Sequence, residues 1–155
     1  MPARRAHTGD IDELLRLATL MFTAVGLDPA IGNWQQHGRQ RLVTGLDDGN
    51  VVGFVLDDHQ STGGLMAAAL ATINQRLPTP TNPDGRVAYV QWVATDPRFR
   101  RQGAARALML ALLQWATHEQ IAYVDLHASA DGEPLYRALG FAEARNPELR
   151  LRLTE

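Results

Sequence analysis

Hydrophobic positions along the chain change their spacing several times, and each change marks the border of a predicted element. Apolar residues recur at intervals of three and four over Ile11–Phe22, which is the period of one helix face. Nearly continuous apolar runs follow at Val51–Leu56, Leu65–Asn74 and Val87–Ala94, and runs of this kind are typical of buried strands. A helical period returns over Ala104–Glu119. The pattern therefore predicts a chain of mixed helices and strands.

Local signals set where the first two helices begin and end. Asp10 is a predicted helix N-cap, and Glu13, three residues later, is its predicted capping-box partner. Gly26 and Pro29 end the first helix, since both residues disfavour its continuation. A second and more polar helix is predicted from about Asn33 to Thr44.

Shorter elements are predicted in the last third of the chain. Ala122–Leu126 has the pattern of a strand, and Glu133–Leu139 that of a short helix, which Gly140 stops. Phe141–Ala144 and Leu149–Leu153 could pair as a closing hairpin. The order of elements predicts one α/β domain over residues 1–155, with a mixed sheet and a right-handed crossover between parallel strands.

Composition and charge narrow the range of functions. The chain has 155 residues, a formal net charge of −2 and no cysteine. A charge near zero gives a nucleic-acid partner no support, and no apolar run approaches the ~20 residues of a membrane span. The lack of cysteine excludes disulfides and thiol catalysis, and no cluster of His, Asp and Glu suggests a metal. We therefore expect a soluble cytoplasmic protein with no nucleic-acid or membrane partner.

An arginine-rich turn joins the strand that ends at Ala94 to the helix that begins at Ala104. Its small residues keep side chains away from the backbone, so the N–H groups could close around a phosphate, and the helix dipole adds positive charge there. The side chains that add further positive charge are those of Arg98, Arg100, Arg101 and Arg106. The turn predicts a ligand that carries phosphate.

Two segments of the chain resemble motifs of one enzyme family. Val93–Ala105 resembles the acetyl-CoA motif of the GNAT superfamily of N-acetyltransferases, in which Arg100, Gly103 and Ala105 fill the three defined positions. Leu126–Phe141 resembles a second element of that superfamily, with its Leu-Tyr-x-x-Leu-Gly-Phe ending. The resemblance implies the GNAT acyl-CoA N-acyltransferase fold, a central mixed β-sheet with a splayed parallel strand pair flanked by helices.

The resemblance also implies a site for acetyl-CoA as the acetyl donor. The turn's amides would hold the diphosphate, and the pantetheine arm would lie between the strands over Val87–Thr95 and Ala122–His127. Ser129 stands where an asparagine is frequent in the family, and its hydroxyl could still bond the arm. The implied cofactor-binding residues are Val93, Ala94, Thr95, Arg100, Arg101, Gln102, Gly103, Ala104, Ala105 and Ser129.

The implied chemistry is direct attack of an amine on the thioester, which needs an acid for the departing thiolate and a base for the amine. Tyr136 occupies the position of the family's tyrosine acid; the other interpretation is a core aromatic residue. Many members carry a glutamate as base on the strand before the glycine turn, where this chain has Gln91-Trp92. His127 is the best substitute, although it could simply be hydrogen-bonded at a strand end, and a water relay needs no base residue.

The acceptor site is implied to lie between the first helices and the strand beside the thioester. Phe22, Trp34 and Trp92, with Gln91, could line that pocket, although aromatic residues on a helix stripe also serve as core. The first hypothesis is an acetyl-CoA-dependent N-acetyltransferase that acts on a small-molecule or peptide amine, and the resemblance also allows a homodimer. The alternative is a non-catalytic acyl-CoA sensor or interaction module. A third hypothesis, a nucleotide-binding domain, is disfavoured because the chain contains none of the glycine-rich phosphate-loop motifs of such domains.

Overall fold

A five-stranded mixed sheet forms the centre of the computed structural model, which describes residues 1–155. Strands follow the order β1-β2-β3-β4-β5; the first four pair antiparallel, and β5 runs parallel to β4. The elements are β1 (Arg4–Arg5), α1 (Ile11–Ala24), α2 (Trp34–Asp48), β2 (Val51–Asp57), β3 (Leu65–Gln75), β4 (Arg86–Thr95), α3 (Ala104–His118), β5 (Tyr123–Leu126) and α4 (Glu133–Ala138). The predicted α/β fold with a parallel strand pair is confirmed.

Helices cover both faces of the sheet, which explains why its strands read as continuous apolar runs. On one face, α1 and α2 bury a layer that includes Leu14, Leu17 and Val55. On the other face, α3 buries Leu108 and Met109 against the alanines of β3. No helix has both the length and the apolar character needed to cross a bilayer.

One extra residue interrupts β4 opposite β3. Leu70 lies opposite Trp92 and Ala71 opposite Val90, so Gln91 has no partner and forms a bulge. β5 pairs with β4 only as far as Val90 and Leu126, while β4 continues to Thr95 along β3. Beyond Val90 the two parallel strands therefore part, since a bulge bends its strand.

Ion pairs hold the segment that leaves β4 against α1. Asp96 is 4% exposed and accepts hydrogen bonds from Arg16 at 2.7 Å and from the backbone N–H of Arg98 at 3.0 Å. Arg16 also bonds the Glu13 carboxylate at 2.6 Å and the carbonyl of Leu65 at 3.0 Å. These contacts tie the first helix, the start of β3 and the end of β4 together.

The predicted capping box at the start of α1 is wrong. The Asp10 carboxylate accepts from the backbone N–H of His7 at 2.9 Å and from Arg4 at 2.8 Å, and it caps no N–H of α1. Glu13 instead accepts from the N–H of Leu65 at 2.8 Å. The Asp10 carboxylate is taken by Arg4 and His7, which precede the helix. The Glu13 carboxylate is taken by Arg16 and by the N–H of Leu65 on β3, so neither group forms the predicted cap.

The second helix ends later than predicted. α2 continues to Asp48, four residues past the predicted Thr44, because Gly49 adopts φ 83° and supplies the left-handed helix end.

The predicted closing hairpin over Phe141–Ala144 and Leu149–Leu153 is wrong. The N–H of Phe141 bonds the Tyr136 carbonyl at 3.0 Å and closes the α4 turn, so no first strand begins there. The side chains of Leu149, Leu151 and Leu153 are 88%, 81% and 86% exposed.

Replacing Asp96 with asparagine should lower the free energy of unfolding by about 1–3 kcal/mol, because Arg16 and Arg98 lose the buried carboxylate charge with which they pair. Hydrogen bonds from Arg98, and then from Arg16, hold the pKa of the Asp96 carboxyl well below its usual range. The stability that this depressed pKa provides is present above the unfolded pKa of about 3.9 and is lost as pH falls towards the folded value.

Urea titrations from pH 8 to pH 3 measure this effect. The difference between wild type and Asp96→Asn should stay constant down to about pH 5 and narrow below about pH 4. Asp47→Asn, at an exposed position near the end of α2, is the control. A difference that does not change with pH would show that the Asp96 charge is not what stabilises this region.

Candidate active site

The parted ends of β4 and β5 form a gap with one unpaired strand edge. Val93, Ala94 and Thr95 pair with β3 on one side only, and β5 has already ended on the other side. An unpaired strand edge presents backbone donors and acceptors to any extended ligand that carries amide groups. The structure thus brings these three residues to one wall of the gap.

The turn after β4 has a backbone suited to an anion. Arg101 adopts φ 61° and Gly103 adopts φ 82°, and α3 begins directly afterwards at Ala104. Successive N–H groups around left-handed residues make a concave nest for anions, and a helix N-terminus adds positive potential. A side chain built on Gly103 would meet no atom within 4 Å, so the space in front of the turn is open.

The arginines of this turn fall into two groups. Arg98 is occupied by the protein itself, since it bonds Asp96 at 3.1 Å and lies over the Phe99 ring at 5.0 Å. Arg100 and Arg101 are exposed and make no ion pair. The same holds for Arg106, one turn into the helix. Arg98 therefore belongs to the fold, and the other three remain able to meet a ligand.

Tyr136 lies on α4 and is half-buried against the α3 layer. Its ring packs edge-on to Phe141 with centroids 5.9 Å apart, and a Cβ on Gly132 would come within 2.9 Å of it. Burial raises the pKa of Tyr136, and its hydroxyl has no hydrogen-bond partner within the protein. Such a phenol stays protonated at neutral pH and can donate its proton.

Ser129 lies on the approach to α4. Its hydroxyl oxygen accepts from the N–H of Gly132 at 3.2 Å, and its backbone carbonyl accepts from Glu133 at 2.9 Å. Ser129 thus starts the turn that holds Tyr136 in place. Its hydroxyl hydrogen is still available to an acceptor on a ligand.

His127 follows β5 at the mouth of the gap, with its side chain 54% exposed. Its Nδ1 is hydrogen-bonded to the Tyr89 hydroxyl, and its Nε2 lies 2.8 Å from a carboxylate oxygen of Glu148. The sequence interpretation named neither of these partners. The predicted parallel pairing of the two strands was the only sequence signal for Tyr89, and the observed register then places it beside Asp125. No local pattern pointed to Glu148.

An aromatic cluster of Phe22, Trp34 and Trp92 packs beside the bulge. Centroids lie 4.9 Å apart for Phe22 and Trp34, and 6.1 Å from Trp92 to each of them, and all three ring pairs meet nearly at right angles. The Trp34 indole N–H donates to the carbonyl of Pro29 at 2.9 Å. The structure therefore brings together the three predicted pocket aromatics. Trp34 and Trp92 also pack on the α1/α2 core layer.

Gln91 is the bulged residue itself, and its side chain is exposed beside this cluster. The Thr72 hydroxyl donates to its amide oxygen at 3.5 Å. An amide cannot take up a proton near neutral pH, so Gln91 can position a substrate but cannot serve as a base.

Comparison with known proteins gives one family match and many structural neighbours. The model of the acetyltransferase (GNAT) family matches residues 11–141. A predicted acetyltransferase from Clostridium acetobutylicum, solved with acetyl-CoA, is 25% identical with a TM-score of 0.87, covering 98% of this chain and 96% of that chain. A GCN5-related N-acetyltransferase from Ralstonia eutropha JMP134 is 25% identical with a TM-score of 0.83, covering 97% of each chain.

More distant neighbours share the fold alone. The aminoglycoside N-acetyltransferase AAC(6')-Iy, in complex with CoA, is 16% identical with a TM-score of 0.74, covering 99% of this chain and 95% of that chain. A search of curated proteins gives no match.

Proposed function

Because the chain belongs to the GNAT acetyltransferase family, we propose that it moves an acetyl group from acetyl-CoA to a primary amine by direct attack. The observation that carries this proposal is the gap between β4 and β5, which opens beside a left-handed turn with unpaired arginines. Residues 1–155 would form a single N-acetyltransferase domain. The family match supports acetyl transfer in general, and the donor and acceptor are the finer part of the proposal.

The cofactor would use backbone groups more than side chains. N–H groups from Arg101 to Ala105, including those of Gln102 and Ala104, would bind the diphosphate, with Arg100 and Arg101 adding charge. The pantetheine arm would pair with the open edge of Val93, Ala94 and Thr95, and Ser129 could bond it from the side of α4. The acetyl-CoA bound to the Clostridium neighbour supports acyl-CoA as the ligand class.

Tyr136 would act as the acid of the reaction. The neutral amine attacks the thioester carbon, so a C–N bond forms and the C–S bond breaks. The thiolate takes the phenol proton of Tyr136, and the proton that the new amide nitrogen loses restores the phenol. Burial keeps Tyr136 protonated before the thiolate departs, because the raised pKa disfavours the phenolate.

His127 would supply the base, since Gln91 cannot. The acceptor would lie on the side of the aromatic cluster of Phe22, Trp34 and Trp92, where apolar ring surface adjoins the polar Gln91. The second candidate function is an acyl-CoA sensor without turnover, and the amide at Gln91 is the observation that favours it.

A turnover screen tests the proposed function directly. Acetyl-CoA is mixed with single amines, and released thiol is followed with a colorimetric thiol reagent; the chain has no cysteine of its own to react. The panel is spermidine, phenethylamine, lysine methyl ester, glucosamine 6-phosphate and kanamycin. We expect turnover with at least one amine, and CoA binding without any turnover would favour the sensor.

Tyr136→Phe should lower turnover by about 10²-fold, because the thiolate loses its proton donor. CoA affinity measured by calorimetry should stay close to that of wild type, since the ring and its packing remain. Tyr123→Phe, at an exposed tyrosine on β5, is the matched control and should keep full activity. Undiminished turnover in Tyr136→Phe would remove this residue from the mechanism.

Gly103→Val should abolish CoA binding in calorimetry, because its side chain would project into the open space that the diphosphate requires. Gly49→Val is the matched control. Gly49 has nearly the same dihedral, φ 83°, and equally open space, but it lies at the end of α2. Both variants carry the same backbone strain of about 1–2 kcal/mol. Tight binding of CoA by Gly103→Val would contradict the proposed use of the turn.

A further inference from the structure

We propose that Tyr89, His127 and Glu148 form a proton relay that removes the proton from the acceptor ammonium before it attacks. This inference rests on the proposed N-acetyltransferase function and names groups that sequence patterns did not reveal. Tyr89 would touch the substrate nitrogen and His127 would store the proton. Glu148 would act through His127 as a positioning residue.

The sheet register explains how the relay assembles. Val90 and Leu126 pair with each other and belong to the α3 layer, so their neighbours Tyr89 and Asp125 point to the opposite face. His127 follows two residues after Asp125, just where the strands part. Its ring stacks edge-on to that of Tyr89, with centroids 5.7 Å apart. The relay therefore lies at the mouth of the gap, on the face away from α3.

The hydrogen-bond donors and acceptors give the relay a direction. An ionised carboxylate can only accept, so His127 Nε2, 2.8 Å from Glu148, must carry a hydrogen. In the neutral imidazole Nδ1 is then the acceptor, and the Tyr89 hydroxyl donates to it. The order is Tyr89 hydroxyl, imidazole, carboxylate.

Protons balance along this path. The ammonium loses a proton to the Tyr89 oxygen while the hydroxyl hydrogen of Tyr89 moves to His127 Nδ1. Tyr89 is neutral before and after, and the positive charge passes from the amine to an imidazolium beside the Glu148 carboxylate. The neutral amine then attacks the thioester. Because the His127 side chain is 54% exposed, the imidazolium can return its extra proton to bulk water before the next turnover.

Burial, together with the carboxylates around the relay, keeps Tyr89 protonated at rest. Burial raises the pKa of Tyr89, and the carboxylates of Glu148 and Asp125 add to this, while the guanidinium of Arg150 opposes it. Thr72 and Gln91 face the same side and carry no charge. Tyr89 therefore passes a proton on rather than waiting as a phenolate, which is what the relay requires.

The segment over residues 142–155 takes part in the relay through Glu148. Residues 142–155 form no strand, and the leucines at 149, 151 and 153 face solvent. The contact with His127 joins this segment to the mouth of the gap. By contrast, Glu143 in the same segment pairs with Arg137 on α4 at 3.1 Å, which makes it a matched control.

Nitrogen-15 NMR of the imidazole rings at pH 8 tests the geometry without any substrate. The chain has five histidines, and the His127→Gln variant identifies the signals of His127. We expect the Nε2–H tautomer in wild type and in Glu143→Ala. In Glu148→Ala and in Tyr89→Phe this preference should fall. An unchanged tautomer in both variants would overturn the relay.

Kinetics with the fastest amine of the panel test the chemical role. At pH 7.5, His127→Ala and Tyr89→Phe should each lower kcat by about 10²-fold, the usual scale of a general base. Glu148→Ala should lower kcat about tenfold with little change in KM, because the imidazolium loses one charged hydrogen bond. Glu143→Ala should match wild type.

Two further readouts separate a relay from a merely structural role. The deficits should shrink as pH rises towards the pKa of a primary alkylamine, about 10.4, because a growing fraction of the amine is then neutral and needs no base. Added imidazole should restore the rate of His127→Ala in proportion to its concentration, and it should not rescue Tyr136→Phe. Deficits that stay constant with pH, without rescue, would overturn the relay even if wild type acetylates amines. If wild type acetylates none, the proposed function fails and the NMR result alone decides the geometry.

Discussion

The bulge at Gln91 is the constraint on which the site depends. In a regular strand, residues two apart point to the same face. Yet Val90 belongs to the α3 layer and Trp92 to the α1/α2 layer, and only an extra residue between them satisfies both. The core thus requires the bulge, and the bulge turns β4 away from β5. The gap, with its unpaired backbone edge, follows from how two hydrophobic layers share one strand.

Some charged residues near the end of β4 pair with one another and stabilise the fold, while others in the following turn stay unpaired. Asp96 and Arg16 anchor the end of β4 to α1, and Arg98 closes that network from the other side. Arg100 and Arg101, the next arginines in the chain, find no carboxylate. A rigid anchor directly before a turn of left-handed backbone presents its N–H groups in a preset arrangement, which lowers the entropic cost of binding an anion.

In the proposed reaction, the proton donor and the proton acceptor lie on different faces of the sheet and in different surroundings. Tyr136 sits on the α3 side among apolar residues, where burial favours its protonated form. His127 lies on the other face, half-exposed and beside Glu148, where the carboxylate stabilises an imidazolium and its extra proton can pass to solvent. An acid benefits from a dry site and a base that must be reset benefits from a wet one. The two groups thus lie on opposite faces of the sheet, at the gap where β4 and β5 part.

Local chemistry determined much of this protein from sequence alone. The apolar periods predicted the main helices and strands, and the turn with Gly103 predicted a backbone for an anion, because spacing and left-handed dihedrals are properties of short segments. Contacts between distant segments needed the tertiary structure. Glu13 bonds the N–H of Leu65 on β3 as well as Arg16 of its own helix, the predicted closing hairpin does not form, and Glu148 contacts His127 more than twenty residues away along the chain. Each depends on register and on competition between partners, which no single segment of the chain encodes.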